Sequence, residues 1–237
     1  MKGKKQWKRL LVSVGCVLAT MLAGGMCALL RTPSWYEVPR IPPQERQNVR
    51  NNLVAAEQAF TEGVRTSRGP FVYHLYQDDV NRWIAMRREI YPLIDELAPP
   101  ELGDPMVIFD QDELTVAGKY RTGAAEVVVS IDVSVRFEAN SIVLRLKGLR
   151  CGSIGVPLSF VSLGLTRRID RPAGATWPGS PRLWGDFQTG FHVDSRAWWK
   201  NGGIDYCVRN VSVEPGVLNL TVEPIGHHAG RGRKDQD

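Results

Sequence analysis

Between Val127 and Phe137 every second residue is apolar: Val127, Val129, Ile131, Val133, Val135 and Phe137. The intervening residues are Val128, Ser130, Asp132, Ser134 and Arg136, with Glu126 and Glu138 at the ends. Successive side chains of a strand point to opposite faces, so this pattern describes one long strand with a dry face and a wet face. Ala139-Asn140-Ser141 then turns the chain. Ile142, Leu144 and Leu146 alternate with Val143, Arg145 and Lys147, which completes an antiparallel hairpin. The design recurs near the C-terminus, where Val211 and Val213, a Pro215-Gly216 turn, and Leu218, Leu220 and Val222 form a second alternating pair. Duplication and the regularity of antiparallel sheets explain this weak repeat equally well.

Upstream the period is helical. Val49, Leu53, Ala56, Phe60 and Val64 form one stripe, with Gly63 and Ser67-Arg68-Gly69-Pro70 as its end. Gln77-Asp78-Asp79 opens a second helix with acids at its N-terminus. Val80, Trp83, Ile84, Ile90, Tyr91, Ile94 and Leu97 give that helix an apolar face, Pro92 kinks it and Pro99-Pro100 stops it. The predicted fold class is therefore α+β: two helices packed on a curved, mostly antiparallel sheet. Residues 170–190 carry three prolines and four glycines and read as a long loop.

Residues 10–30 form a run of 21 residues without a charge. As a helix it would be about 30 Å long, the thickness of the hydrocarbon core of a bilayer. Lys2, Lys4, Lys5, Lys8 and Arg9 precede it, and no acid occurs before residue 31. A basic segment and an apolar run also describe a cleavable signal peptide. The length of the run and the lack of a clean A-x-A site favour an uncleaved transmembrane anchor. The basic residues hold the N-terminus in the cytoplasm and place residues 31–237 outside. The expected organisation is a cytoplasmic segment at 1–9, the anchor at 10–30, a Pro-rich spacer at 31–43, an extracytoplasmic domain at 44–225 and a polar tail at 226–237. Trp35 and Tyr36 sit where an interfacial aromatic anchor would be. Cys151 and Cys207 are the only cysteines after residue 30. In an oxidising compartment they either pair or remain buried free thiols.

Charge excludes one class of function. The net charge is +5, from 30 Lys+Arg and 25 Asp+Glu. Removing the five basic residues of the N-terminus leaves 25 against 25. A nucleic-acid binder spreads basic charge over a face, and this chain does not.

Catalytic and metal motifs are equally sparse. His192, Asp194 and Ser195 contain the atoms of a hydrolase triad, but three groups within four residues cannot converge. Asp110, Asp112 and Glu113 lack the glycine of a calcium loop, and His227-His228 falls in the polar tail. No enzyme activity, cofactor or metal is expected.

Three phrases carry a resemblance. They are LYQDDVNRWIA at 75–85, LRLKGLRCGSIGVPLSF at 144–160 and VRNVSVEPGVLNLTVEP at 208–224. Together, behind an N-terminal anchor, they resemble the YpmS-like membrane-anchored envelope proteins and, more distantly, tubular lipid-binding domains. The matching residues are Asp79, Asn81, Trp83 and Ile84, then Gly152, Ile154, Gly155 and Pro157. The resemblance implies a lipid or apolar-ligand domain outside the cytoplasmic membrane.

A sheet with one apolar face against a helix makes a dry groove, which side chains either fill or leave open for an acyl chain. The expected groove residues are Trp83, Ile84, Val129, Ile131, Val133, Val135, Leu144 and Leu146. Val156, Leu158 and Phe160 would form an apolar lip at its membrane mouth. The alternative is a structural or partner-binding envelope protein with a solid core and a working surface around 152–200, including Trp198 and Trp199.

Overall fold

The computed structural model describes residues 24–90, 102–123, 125–157, 169–172, 182–186, 189–199 and 203–227. A 3-10 turn at Pro43–Glu45 leads into helix α1 (Arg46–Thr66). Next come β1 (Phe71–Tyr76), α2 (Gln77–Ala85) and the short α3 (Arg87–Ile90). Two hairpins follow: β2 (Leu102–Asp110) with β3 (Glu113–Thr122), and β4 (Ala125–Glu138) with β5 (Ser141–Cys151). Short strands β6 (Ile154–Val156), β7 (Ile169–Pro172), β8 (Arg182–Asp186), β9 (Gly190–Asp194) and β10 (Arg196–Trp199) precede the final hairpin, β11 (Ile204–Glu214) and β12 (Val217–His227).

The fold is α+β, and among the described residues every strand pairing is antiparallel. The strands form two sheets rather than one. The small sheet has the order β1-β12-β11-β10; the large sheet runs β2-β3-β4-β5-β9-β8-β7, with β6 beside β5. Strands β7 and β8 lie within the stretch read as a loop. Its prolines and glycines hid two short pairings, β7 with β8 and β8 with β9.

The chain changes sheet at Ser195, between β9 and β10. The backbone N–H of this buried residue donates to Asn140 O at 3.4 Å, and its carbonyl accepts from Val208 N–H at 2.8 Å. Its Oγ lies 3.4 Å from Cys207 Sγ. Ser195 is thus a corner of the backbone.

The sheets meet at one end, where Phe109 of β2 and Val135 of β4 pack on Val208, Val211 and Val213 of β11. Ile142, Leu144, Leu114, Leu218, Leu220 and Val80 of α2 complete this core. Helix α1 covers the other part of the small sheet. Phe60 and Val64 pack against Ile204 and Val222, with Phe71, Tyr73 and Trp199 around them. Trp199 stands edge-on to Phe60 at 4.9 Å and donates its indole N–H to Thr61 Oγ1 at 2.8 Å. The predicted stripe is the buried one, at Val49, Leu53, Phe60 and Val64. Gly63 does not end the helix; it lets the Phe71 ring approach, since a Cβ there would stand 2.6 Å from it.

The second helix is shorter than its apolar pattern suggested. It ends at Ala85, and residues 91–100 lie outside the described residues. Its polar side chains have a structural task. Asn81 accepts from Val107 N–H and donates to Val107 O, both at 2.8 Å, and Gln77 Oε1 accepts from Phe109 N–H at 2.7 Å. Four helical residues rise about 6 Å and two strand residues about 6.6 Å. Gln77 and Asn81 therefore match every second residue of the strand.

No helix among the described residues is long and apolar enough to cross a membrane. Residues 24–30 are helical, and the rest of the 10–30 run lies outside the described residues.

Candidate functional site

The two faces of β4 are occupied contrary to their polarity. On the predicted wet face, Ser130, Asp132 and Ser134 are buried. Thr115 Oγ1 donates to Asp132 Oδ1 at 2.8 Å, and Arg150 Nη2 donates to Oδ2 at 2.6 Å. Ser134 Oγ reaches Arg145 O at 3.4 Å. The segment read as a Pro-rich spacer lies on this side. Tyr36 is buried with Met106, Ala117 and Val128, with Trp35, Val38 and Ile108 around them. Tyr36 is therefore part of the domain core, not an interfacial anchor, because its ring finds apolar side chains and its hydroxyl donates to Asp104 O. Burial, assisted by the charges of Asp104 and Glu126, pushes its phenol well above the ordinary tyrosine range. Beside it, Glu126 accepts from Lys119 and Arg121, and these bonds hold its carboxyl below the usual value.

The opposite face is apolar and open. Register places Val116, Ile131, Leu149 and Val156 in one row across β3, β4, β5 and β6. A neighbouring row holds Gly118, Val129, Cys151 and Ile154, and Tyr120 stands beside Val127. Toward the sheet junction the row is Leu114, Val133 and Leu146. No charged residue occurs in these rows. Val116 is 45%, Tyr120 42% and Ile131 39% exposed, whereas Val135, four residues along β4, is 5% exposed. The apolar face thus runs from a sealed end at Val135, through exposed Ile131, to half-buried Val127, about 26 Å of strand.

The predicted groove residues divide accordingly. Val129, Ile131, Val133 and Leu146 share the open face. Val135 and Leu144 belong to the core between the sheets. Val156 joins the open face through its pairing with Leu149, whereas Leu158 and Phe160 lie outside the described residues. Trp83 and Ile84 are elsewhere: α2 packs on β2 and α1, not over β4. Trp83 lines a cleft of about 400 Å³ with Glu45, Asn48, Val49, Asn52, Asp79 and Arg82, walls too polar for a hydrocarbon. The expected groove between helix and sheet is therefore not formed by these residues. Val116, Tyr120 and Leu149 were missed, although β3 carries a recognisable alternation, because the row across strands follows from register.

Cys151 and Cys207 are free thiols. Cys151 ends β5 on the large sheet, while Cys207 is buried in the small sheet beside Ser195. The triad atoms do not converge. His192 Nδ1 lies 3.2 Å from Ser141 Oγ, and its ring stacks on Trp184 at 5.5 Å. Asp194 accepts from Arg196 N–H at 3.0 Å. Among the described residues no three His, Cys, Asp or Glu side chains cluster to hold a metal ion.

No known family model, curated protein or solved structure matches this chain.

Proposed function

We propose that this chain is a non-catalytic domain, anchored in the cytoplasmic membrane by residues 10–30, that holds a lipid or another apolar ligand outside the cell membrane. The ligand lies on the open face of the large sheet, between Val127 and Val133 of β4, flanked by Val116, Leu146, Leu149 and Val156. One observation carries this reading: Ile131 and Val116 stand 39% and 45% exposed in an uncharged apolar row while the polar side of the same strand is buried. Contiguous apolar surface of this kind marks a binding site on a folded protein. Each methylene removed from water contributes about 0.8 kcal/mol, so ten supply about 8 kcal/mol before the cost of association.

Native mass spectrometry of the chain, purified in mild detergent, will carry an added mass of one lipid. A fluorescent sixteen-carbon fatty acid will bind, and Ile131→Glu will abolish uptake while leaving the thermal transition in place. A ligand-free spectrum with no uptake refutes the reading. In that case a protein of the envelope covers the face, and cross-linking from Ile131 will capture it.

A further inference from the structure

The open face ends against the anchor. Residues 24–30 form the last helical turns of the uncharged run, and they are bound to the turn between β5 and β6. Ser153 N–H donates to Ala28 O at 3.1 Å. Gly152, at φ +59°, passes so close that a Cβ on it would stand 2.2 Å from Leu29 O and 2.7 Å from Ala28 O. Any side chain at 152 is therefore excluded twice, by the backbone conformation and by the space. Gly152 N–H in turn donates to Val128 O at 2.7 Å, which ties the same turn to β4 between Val127 and Val129.

From this junction the chain continues along the polar face of the sheet. There Trp35 and Tyr36 pack on Met106 and Val128, on the face opposite the apolar rows. The end of the strip nearest the anchor, at Val127, Val129, Cys151 and Ile154, is half-buried, with Tyr120 beside Val127 42% exposed and Ile131 and Val116 exposed next along the strip. The far end is closed by Val135 and Leu144 in the core between the sheets.

We infer that the strip is loaded from the bilayer in which the chain is anchored: a phospholipid acyl chain passes from the membrane onto the sheet at the Val127–Cys151 end and runs along β4 toward Val133. The occupant is a membrane lipid, because the anchor and this end of the strip share one junction. A strip filled from the aqueous side would have no need of a fixed angle to the anchor. The Gly152–Ser153 contact sets that angle, and loading depends on it. This rests on the apolar-ligand reading above and adds the source, the direction and the residues that control delivery.

The test uses the full chain reconstituted in phosphatidylcholine and phosphatidylglycerol vesicles that contain a phospholipid with a photoactivatable group in its acyl chain. After illumination, adducts mapped by mass spectrometry will fall on residues 127–133, 146–151 and 154–156. Gly152→Val will reduce them at least fivefold, while uptake of a fluorescent fatty acid from detergent solution is retained. Should Gly152→Val fail to fold, the pair Leu29→Cys and Ser153→Cys serves instead: it will form a disulfide in the vesicles and keep the adducts. Equal adducts in Gly152→Val and the native chain, or no disulfide, overturn the inference and leave the ligand site standing. Uptake from solution without adducts from the bilayer also overturns it. Absence of both adducts and uptake removes the ligand reading itself. Links only between the open faces of two copies overturn the lipid as occupant.

Discussion

Strand β4 offers a comparison within a few ångströms. On one face Ser130, Asp132 and Ser134 are buried and bonded; on the other Ile131 is 39% exposed in an uncharged row. Polarity does not decide which face is covered; whatever stacks on the face does. The Tyr36 segment covers the polar face, and the small sheet covers the apolar face at Val135 and Leu144, with Leu114 and Val107 packed on the same core, but leaves Ile131 and Val116 exposed. A buried carboxylate is tolerable because Thr115 and Arg150 satisfy it. The exposed apolar row finds no such partner among the described residues, which is why we propose an occupant for it.

The comparison breaks most easily at the boundary between sealed and open parts. Phe109→Ala, inside the junction, is expected to lower unfolding free energy by about 3–5 kcal/mol. Ile131→Ala, with no ligand bound, is expected to lower it by less than about 1 kcal/mol. Urea titrations of both in detergent check this, and equal losses would mean the open face is as sealed as the core. Asn81→Ala leaves Val107 N–H and C=O without partners and is expected to cost about 2–3 kcal/mol in the same titration.

The polar face gives a smaller effect. Asp132→Asn weakens the bond to Arg150, whose own side chain is 47% exposed and regains water, so a loss near 1–2 kcal/mol is expected. The smallest effect is alkaline. Tyr36 has a raised folded-state value, so its contribution is complete below the ordinary tyrosine value of about 10 and is lost as pH climbs from there. Melting curves from pH 9 to 11 should fall less steeply for Tyr36→Phe than for the native chain.

Much of the scaffold was legible in the sequence. The Val49–Val64 stripe has a period that only a helix satisfies, and Ala139-Asn140, both at positive φ, forms the hairpin turn read there. The composition of the open strip was legible too, since Val129, Ile131, Val133 and Leu146 follow from alternation. Its neighbours across β3 and β6 depend on register, and its exposure depends on where the small sheet stops. Neither quantity is written in a local pattern. The same holds for Asn81, which the sequence places on a helix and which acts as a clasp for β2. Trp83 misled in the opposite way, because an apolar face on a helix does not say which neighbour it will meet.

That clasp has a consequence for how the chain behaves among its own copies. Strand β2 borders a sheet that already presents a greasy surface, and a bare border of that kind invites stacking into fibrils. By filling the ladder positions of Val107 and Phe109 with side chains, Gln77 and Asn81 remove the template on which a second molecule could zip. The protein can then keep a sticky surface without seeding its own aggregation at that border.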